Sequence, residues 1–175
     1  PDGHSVQTEY DGAGRPIKTV VNLDDNPAVS GTLPNRFAIV AGAADIVTTT
    51  PYDGNGNKLA VTLINDTPGA SGPQTVTTTY DALNRPIAVT DQEGFTASVQ
   101  YDLNDNKLVV VDQRGNRADF IYDPANRLIK SLLPAVADAE HGGAMTRPQL
   151  TYAYDRAGNR IRETDPRGLV TESIF

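Results

Sequence analysis

The sequence predicts an all-β chain of tandem hairpins. Three observations predict it. A Tyr-Asp pair recurs six times, each copy followed by a turn and a branched aliphatic residue. Gly, Pro, Thr, Asn and Asp abound, and helical periodicity is scarce. Segments such as 75–80 and 87–90 alternate and are rich in β-branched residues, as half-buried strands are.

The copies open at Tyr10-Asp11, Tyr52-Asp53, Tyr80-Asp81, Tyr101-Asp102, Tyr122-Asp123 and Tyr154-Asp155. If Tyr is numbered one, the fifth place holds Gly14, Gly56, Asn84, Asp105, Asn126 or Gly158. These residue types tolerate a left-handed backbone, so positive φ is expected there. The sixth place alternates Arg15, Asn57, Arg85, Asn106, Arg127, Asn159. The eighth is always aliphatic: Ile17, Leu59, Ile87, Leu108, Ile129 and Ile161. Such a fixed register marks a repeat protein.

Successive Tyr-Asp pairs are 42, 28, 21, 21 and 32 residues apart, so the unit is 21 residues long. A second turn, Asp-x-x-Gly, closes the plain units at Asp91–Gly94 and Asp112–Gly115, and recurs at Asp165–Gly168. The three longer units lack it and carry inserted loops at about 24–45, 65–73 and 134–147. The first spacing is twice the unit, so a decayed repeat within 31–51 is conceivable; an insertion is the simpler reading.

Each unit reads as two strands joined by the Tyr-Asp turn. The Asp side chain is expected to bind backbone N–H groups two residues on and close that turn. Each Tyr is expected to face the eighth-place aliphatic: Tyr10 with Ile17, Tyr52 with Leu59, Tyr80 with Ile87, Tyr101 with Leu108, Tyr122 with Ile129 and Tyr154 with Ile161. Further out, Thr78 should face Val89, Val99 face Val110 and Phe120 face Ser131. On the opposite side of the sheet, Glu9 should face Lys18 and Ile121 face Lys130. Each favourable pair contributes roughly 0.2–1 kcal/mol.

A net charge of −7 and a pI near 4.7 argue against nucleic-acid binding, and the basic residues form no cluster. Without cysteine there is neither a disulfide frame nor a thiolate metal site. No apolar run approaches the roughly 18 residues of a membrane-spanning helix. Pro1 is not a translation start, so the chain reads as a piece of something longer.

The pattern Tyr-Asp-x-x-Gly/Asn-Arg/Asn-x-Ile/Leu followed by Asp-x-x-Gly resembles the YD repeat of the RHS family. It is carried by Tyr80 to Ile87 with Asp91 to Gly94 and by the five other copies, and it spans 1–175 apart from the inserted loops. That family includes bacterial polymorphic toxins, the C components of insecticidal toxin complexes and the teneurins. The resemblance implies hairpins joined edge to edge in one long twisted antiparallel sheet, a segment of a spiral shell. In the bacterial toxins such a shell encloses a C-terminal effector. It implies a secreted or cell-surface bacterial protein whose partners are the rest of the parent shell and that effector. Asp165 to Leu169 superficially resembles the sequence closing the self-cleaving core of such toxins, but it stands in the ordinary second-turn phase.

Candidate sites are few. Asp53–Asn57 and Asp102–Asn106 begin like calcium loops, but Lys58 and Lys107 stand where an EF-hand needs Gly, and Ile64 and Gln113 where it needs Glu. His4 and His141 stand alone, and no Ser sits in a nucleophile elbow. Asn65-Asp66-Thr67 matches a glycosylation sequon by coincidence. No catalytic residue, metal site or cofactor is expected. The structural repeat positions are the Tyr, Asp and aliphatic columns, and the chain reads as a structural module. The alternatives are an adhesin-like module that binds carbohydrate or a cell-surface protein through exposed Tyr rings, and, third, part of a self-processing toxin. Buried rings would favour scaffold; a solvent-facing ladder would favour binding.

Twelve strands about 4.8 Å apart make a sheet about 58 Å wide. Closed without tilt it would be only about 18 Å across. A 100-residue effector is about 34 Å across. An open sheet is therefore expected, with free edges that invite edge-to-edge self-association.

Overall fold

The computed structural model describes residues 5–22, 45–65, 72–138 and 143–175. Most of the first two inserted loops, residues 31–44 of the possible decayed repeat, His4 and His141 lie outside them. The chain divides into two compact units, Pro1–Gly94 and Phe95–Phe175. Every regular element among the described residues is a strand, as the composition predicts.

In the first unit the strands are β1 (Ser5–Tyr10), β2 (Pro16–Asn22), β3 (Asp45–Thr49), β4 (Ala60–Asn65), β5 (Gln74–Tyr80) and β6 (Pro86–Thr90). Each is antiparallel to the next. In the second unit, β7 (Thr96–Tyr101), β8 (Lys107–Val111), β9 (Arg117–Tyr122) and β10 (Leu128–Leu132) continue the pattern. After a short hairpin, β11 (Val136–Asp138) with β12 (Ala144–Thr146), the order resumes with β13 (Gln149–Tyr154), β14 (Arg160–Thr164) and β15 (Val170–Glu172). β13 pairs directly with β10, so the β11–β12 arm is an excursion from the sheet order. The sequence reading gave 134–147 as loop. Three residues per strand, with no aromatic and one β-branched residue in each, leave too weak a pattern to read.

Strand alternation sorts the residues onto two faces. Tyr10, Thr8 and Val6 share a face with Ile17, Thr19 and Val21 across the β1–β2 ladder. The same face continues through Leu59, Val61 and Leu63 to Val76 and Tyr80. Leu59, Val61, Leu63 and Val76 stay exposed there. The opposite face holds the best-buried pair of the first unit, Val20 against Val47. In the second unit Val109, across from Asp119, is buried on the face away from Tyr101 and Tyr122, and Ser131, across from Phe120, is buried on the face those two Tyr share.

The outer pairs fall as expected: Thr78 with Val89, Val99 with Val110, Phe120 with Ser131, Glu9 with Lys18 and Ile121 with Lys130. The innermost pair does not. Tyr10 faces Pro16, Tyr80 faces Pro86, Tyr101 faces Lys107, Tyr122 faces Leu128 and Tyr154 faces Arg160, with a register shift just beyond. Tyr52 likewise bridges to Lys58. The aliphatic is the extra residue of a β-bulge, in which two residues of one strand oppose one of the other. It still stands beside the Tyr, one place further from the turn than a plain ladder would put it.

Candidate functional site

The recurring feature of this chain is its Tyr-Asp turn. Asp11, Gly12, Ala13 and Gly14 form a tight turn in which the Gly14 N–H donates to the Asp11 carbonyl at 2.9 Å, and the Asp11 N–H donates to the Arg15 carbonyl at 2.9 Å. The last turn residue is left-handed in every copy: φ is +76° at Gly14, +90° at Gly56, +61° at Asn84, +68° at Asp105, +59° at Asn126 and +92° at Gly158. Such a turn followed by a left-handed residue is the usual longer hairpin connection. Gly94, Gly115 and Gly168 give the second turn the same sign of φ.

Each Asp closes its turn from inside. One carboxylate oxygen of Asp11 accepts the N–H groups of Ala13 and Arg15, both at 2.9 Å, and the other accepts Arg15 Nε at 2.7 Å. Asp81 with Leu83 and Arg85, and Asp123 with Ala125 and Arg127, repeat this. Where the sixth place is Asn, its side-chain amide replaces the guanidinium, as Asn57 does at Asp53 and Asn106 at Asp102. Asp155 takes both the N–H and the amide of Asn159. These donors favour the charged form. The Arg15 N–H holds the Asp11 carboxyl below its ordinary value, and the Asn57 amide does the same for Asp53. Asp81, Asp123 and Asp155 are lowered by the corresponding partners. The calcium-like spelling of Asp53–Asn57 is thus turn chemistry: both Asp53 oxygens are occupied by donors of their own turn.

The sixth-place residue also reaches the following hairpin. The Arg15 guanidinium lies over the Tyr52 ring, 4.7 Å from its centroid, and Arg127 lies over Tyr154 at 4.8 Å. Arg15 Nη1 donates to the Asp53 carbonyl at 3.4 Å, and Arg127 Nη1 to that of Asp155 at 3.2 Å. The covered Tyr answers in the other direction: the Tyr52 hydroxyl donates to the Pro16 carbonyl at 3.2 Å and Tyr154 to Leu128 at 2.9 Å. Tyr80 does the same to Lys58 at 3.0 Å. At Tyr122, burial and then the Asp102 carboxylate push the phenol up.

Where the sixth place is Asn, the contact is amide to amide. Asn57 Nδ2 donates to Asn84 Oδ1 at 2.8 Å and Asn106 Nδ2 to Asn126 Oδ1 at 3.0 Å. The Tyr, Asp and sixth-place columns therefore form stitches within each unit, from one Tyr-Asp hairpin to the next. Among the described residues nothing covers Tyr10 in this way, and it is 61% exposed, whereas Tyr52, Tyr80, Tyr101, Tyr122 and Tyr154 are half-buried.

A second cluster went unread in the sequence. Arg147 bridges Asp119 at 2.5 Å and donates to the carbonyls of Leu132, Leu133 and Arg117. Arg117 binds Asp119 from the other side at 2.6 Å. The Arg117 and Arg147 guanidinium groups hold the Asp119 carboxyl below its ordinary value, and the cluster fastens the base of the β11–β12 arm to β9. Its residues come from two strands and a loop, so no local spacing announces it.

No protein-family model matches the sequence, and no curated relative does. Solved structures do. The crystal structure of TcdB2-TccC3-Cdc42 superposes with a TM-score of 0.55 over 91% of this chain at 18% identity. The fold is that of a segment of an RHS-type β-sheet shell. The Tc holotoxin pore of Photorhabdus luminescens, carrying the TccC3 substitution D651A, matches with a TM-score of 0.53 over 93% of this chain at 19% identity. TcdB2-TccC3 alone gives 0.53 over 91% at 19%. This chain spans under a tenth of the length of those chains, 7–8%.

Proposed function

We propose that this chain is a length of shell wall: a structural module that in its parent protein helps to enclose a C-terminal effector and carries no catalysis of its own. The observation that carries this reading is the cover over the Tyr column. Arg15 on Tyr52 and Arg127 on Tyr154, with the Tyr hydroxyls spent on backbone carbonyls, use these rings to join hairpins. Rings occupied in this way are poorly placed to stack on a sugar, which supports scaffold over the adhesin-like alternative. The turn carboxylates are likewise saturated by their own turns and do not stand as a free acid–base pair. The partners are the neighbouring hairpins of the parent sheet and the enclosed effector, in a secreted or surface-exposed bacterial protein, and the Tyr, Asp and aliphatic columns are the residues that build the wall.

Limited proteolysis of the full-length parent tests this. The effector should resist protease in the wild type and become cleavable when Asp102→Ala and Asp123→Ala open two neighbouring turns. An effector equally cleavable in both proteins would contradict enclosure.

A further inference from the structure

Asn55 is followed by Gly56, and no other Asn in the sequence precedes a Gly. That pair is chemically unstable in water. The Gly nitrogen, with no side chain beside it to hinder approach, attacks the Asn side-chain carbonyl carbon. A C–N bond forms, the amide C–N bond breaks, and ammonia leaves. The resulting five-membered imide takes up one water and opens to Asp or to isoaspartate, in which the main chain runs through the side-chain carbon. The reaction needs water alone as co-reactant.

The second Tyr-Asp turn leaves this pair lightly held. Asn55 is exposed, and among the described residues one hydrogen bond fixes its side chain, Nδ2 to Asn84 Oδ1 of the next hairpin at 3.0 Å. The attacking nitrogen is held by one more, the Gly56 N–H to the Asp53 carbonyl at 3.1 Å. Both must open before that nitrogen can turn onto the Asn55 carbonyl carbon. Local openings of surface hydrogen bonds lie at the low end of the stability range. The Asp53 carbonyl is not orphaned by the opening, because Arg15 Nη1 also donates to it at 3.4 Å. The base of the turn stays closed meanwhile: the Asp53 N–H donates to the Asn57 carbonyl at 3.0 Å, and the Asn57 N–H to the Asp53 carboxylate at 2.8 Å. Asp11-Gly12 and Asp53-Gly54 differ, although each also precedes a Gly. Their carboxylates are each bound by three donors of their own turn and are poor targets for attack.

We propose that Asn55 is a self-modification site, converted to Asp or isoaspartate in the folded chain, and that Asn84 is the latch that sets its rate. Asn84 Oδ1 accepts Asn55 Nδ2 and Asn57 Nδ2 together. In the Asp product an acceptor oxygen replaces the Asn55 donor, so two acceptors face one another. In the isoaspartate product the side chain is one carbon shorter and the main chain one carbon longer, and the turn no longer fits its ladder. Either product removes a bond between the second and third hairpins. The change is one-way and falls on a single junction. It holds whether or not the chain is shell wall.

The test keeps the chain in mildly alkaline buffer and weighs its proteolytic peptides at intervals for exchange of NH2 by OH. An isoaspartyl methyltransferase counts the isoaspartate. Asn104, which precedes Asp105 at the same place of another turn, is the internal control. The same chain in concentrated urea gives the unlatched rate. Asn55 should convert in the folded chain, ahead of Asn104 and more slowly than in urea. Asn84→Gly keeps the left-handed backbone and removes the acceptor. It should speed Asn55 about twofold to tenfold, the worth of one exposed hydrogen bond, and leave Asn104 as it was. Asn84→Asp keeps an acceptor and should hold the rate at or below that of the wild type. Conversion of Asn55 in urea alone would overturn the site. An Asn55 rate unchanged by Asn84→Gly would overturn the latch.

Discussion

Arg127 sits over the ring of Tyr154, its guanidinium carbon 4.8 Å from the centroid, while Tyr154 donates its hydroxyl to the Leu128 carbonyl next to that arginine. Two consecutive hairpins thus hold one another by a ring face and by a backbone hydrogen bond. A single exposed hydrogen bond or stacked cation is worth only about 0.5–1.5 kcal/mol. A wall of such hairpins gains its stability by repetition.

Truncating a covered Tyr should therefore destabilise the protein more than truncating the uncovered one. Tyr154 is half-buried beneath Arg127, so Tyr154→Ala should cost about 1.5–3 kcal/mol, less than the loss of a fully buried aromatic. Tyr10→Ala should cost under about 1 kcal/mol, since its ring is mostly in water already. Urea unfolding midpoints compare the two. Equal shifts would contradict the role assigned to the cover.

The left-handed column predicts an asymmetry between substitutions at one site. A Cβ on Gly158 would touch nothing within 4 Å, so its +92° φ is the whole constraint. Gly158→Asn should be nearly tolerated, as Asn84 and Asn126 show at the same place. Gly158→Val should cost about 1–3 kcal/mol, because a branched Cβ clashes in that region. Thermal unfolding of the two variants distinguishes them, and a Val variant as stable as the Asn variant would contradict the turn geometry.

Acid should weaken the fold through the turns. The carboxyls of Asp11, Asp53, Asp81, Asp123 and Asp155 are lowered below the unfolded value near 3.8 by hydrogen bonds of their own turns. A lowered folded pKa stabilises above the unfolded pKa, and that stabilisation is lost as pH falls through the folded pKa. Stability should hold from pH 7 down to about 4 and then fall. Asp123→Asn should start lower and show a shallower acid slope. Unfolding midpoints measured between pH 7 and 2 check both, and an unchanged slope would count against the turn carboxylates as the cause.

Arg147 is expected to matter more than its place outside the regular strands implies. It holds three carbonyls and Asp119 together. Arg147→Ala should cost about 1.5–3 kcal/mol, as the loss of charged hydrogen bonds does. Arg167→Ala, at an exposed side chain on a 3.4 Å contact, should cost under about 0.5 kcal/mol. Guanidinium unfolding of each variant gives the comparison.

How much of this was legible follows from where each signal resides. Turn chemistry is local, so Tyr80-Asp81-Ala82-Leu83-Asn84 displays its turn and its left-handed residue within five letters. The alternation of β7 to β10 is equally local, and the outer cross-strand pairs followed from it. The bulge was not legible. It places Pro16, Pro86, Lys107, Leu128 or Arg160 opposite Tyr, and residues so unlike share no mark. The stitches were visible only as an alternation of Arg and Asn whose partners lie a whole hairpin away. Asp119 with Arg147 was beyond reach, because nothing near either residue names the other.

The central claim is that, within each compact unit, consecutive Tyr-Asp hairpins are held together by the sixth-place side chain of the first. A double-mutant cycle on Arg127→Met and Tyr154→Leu in urea measures it most directly, since both replacements keep bulk and remove the stack. The predicted result is a coupling of about 0.5–1 kcal/mol, the double variant being less destabilised than the sum of the singles. Strict additivity would contradict the claim and leave the two residues as neighbours without a bond.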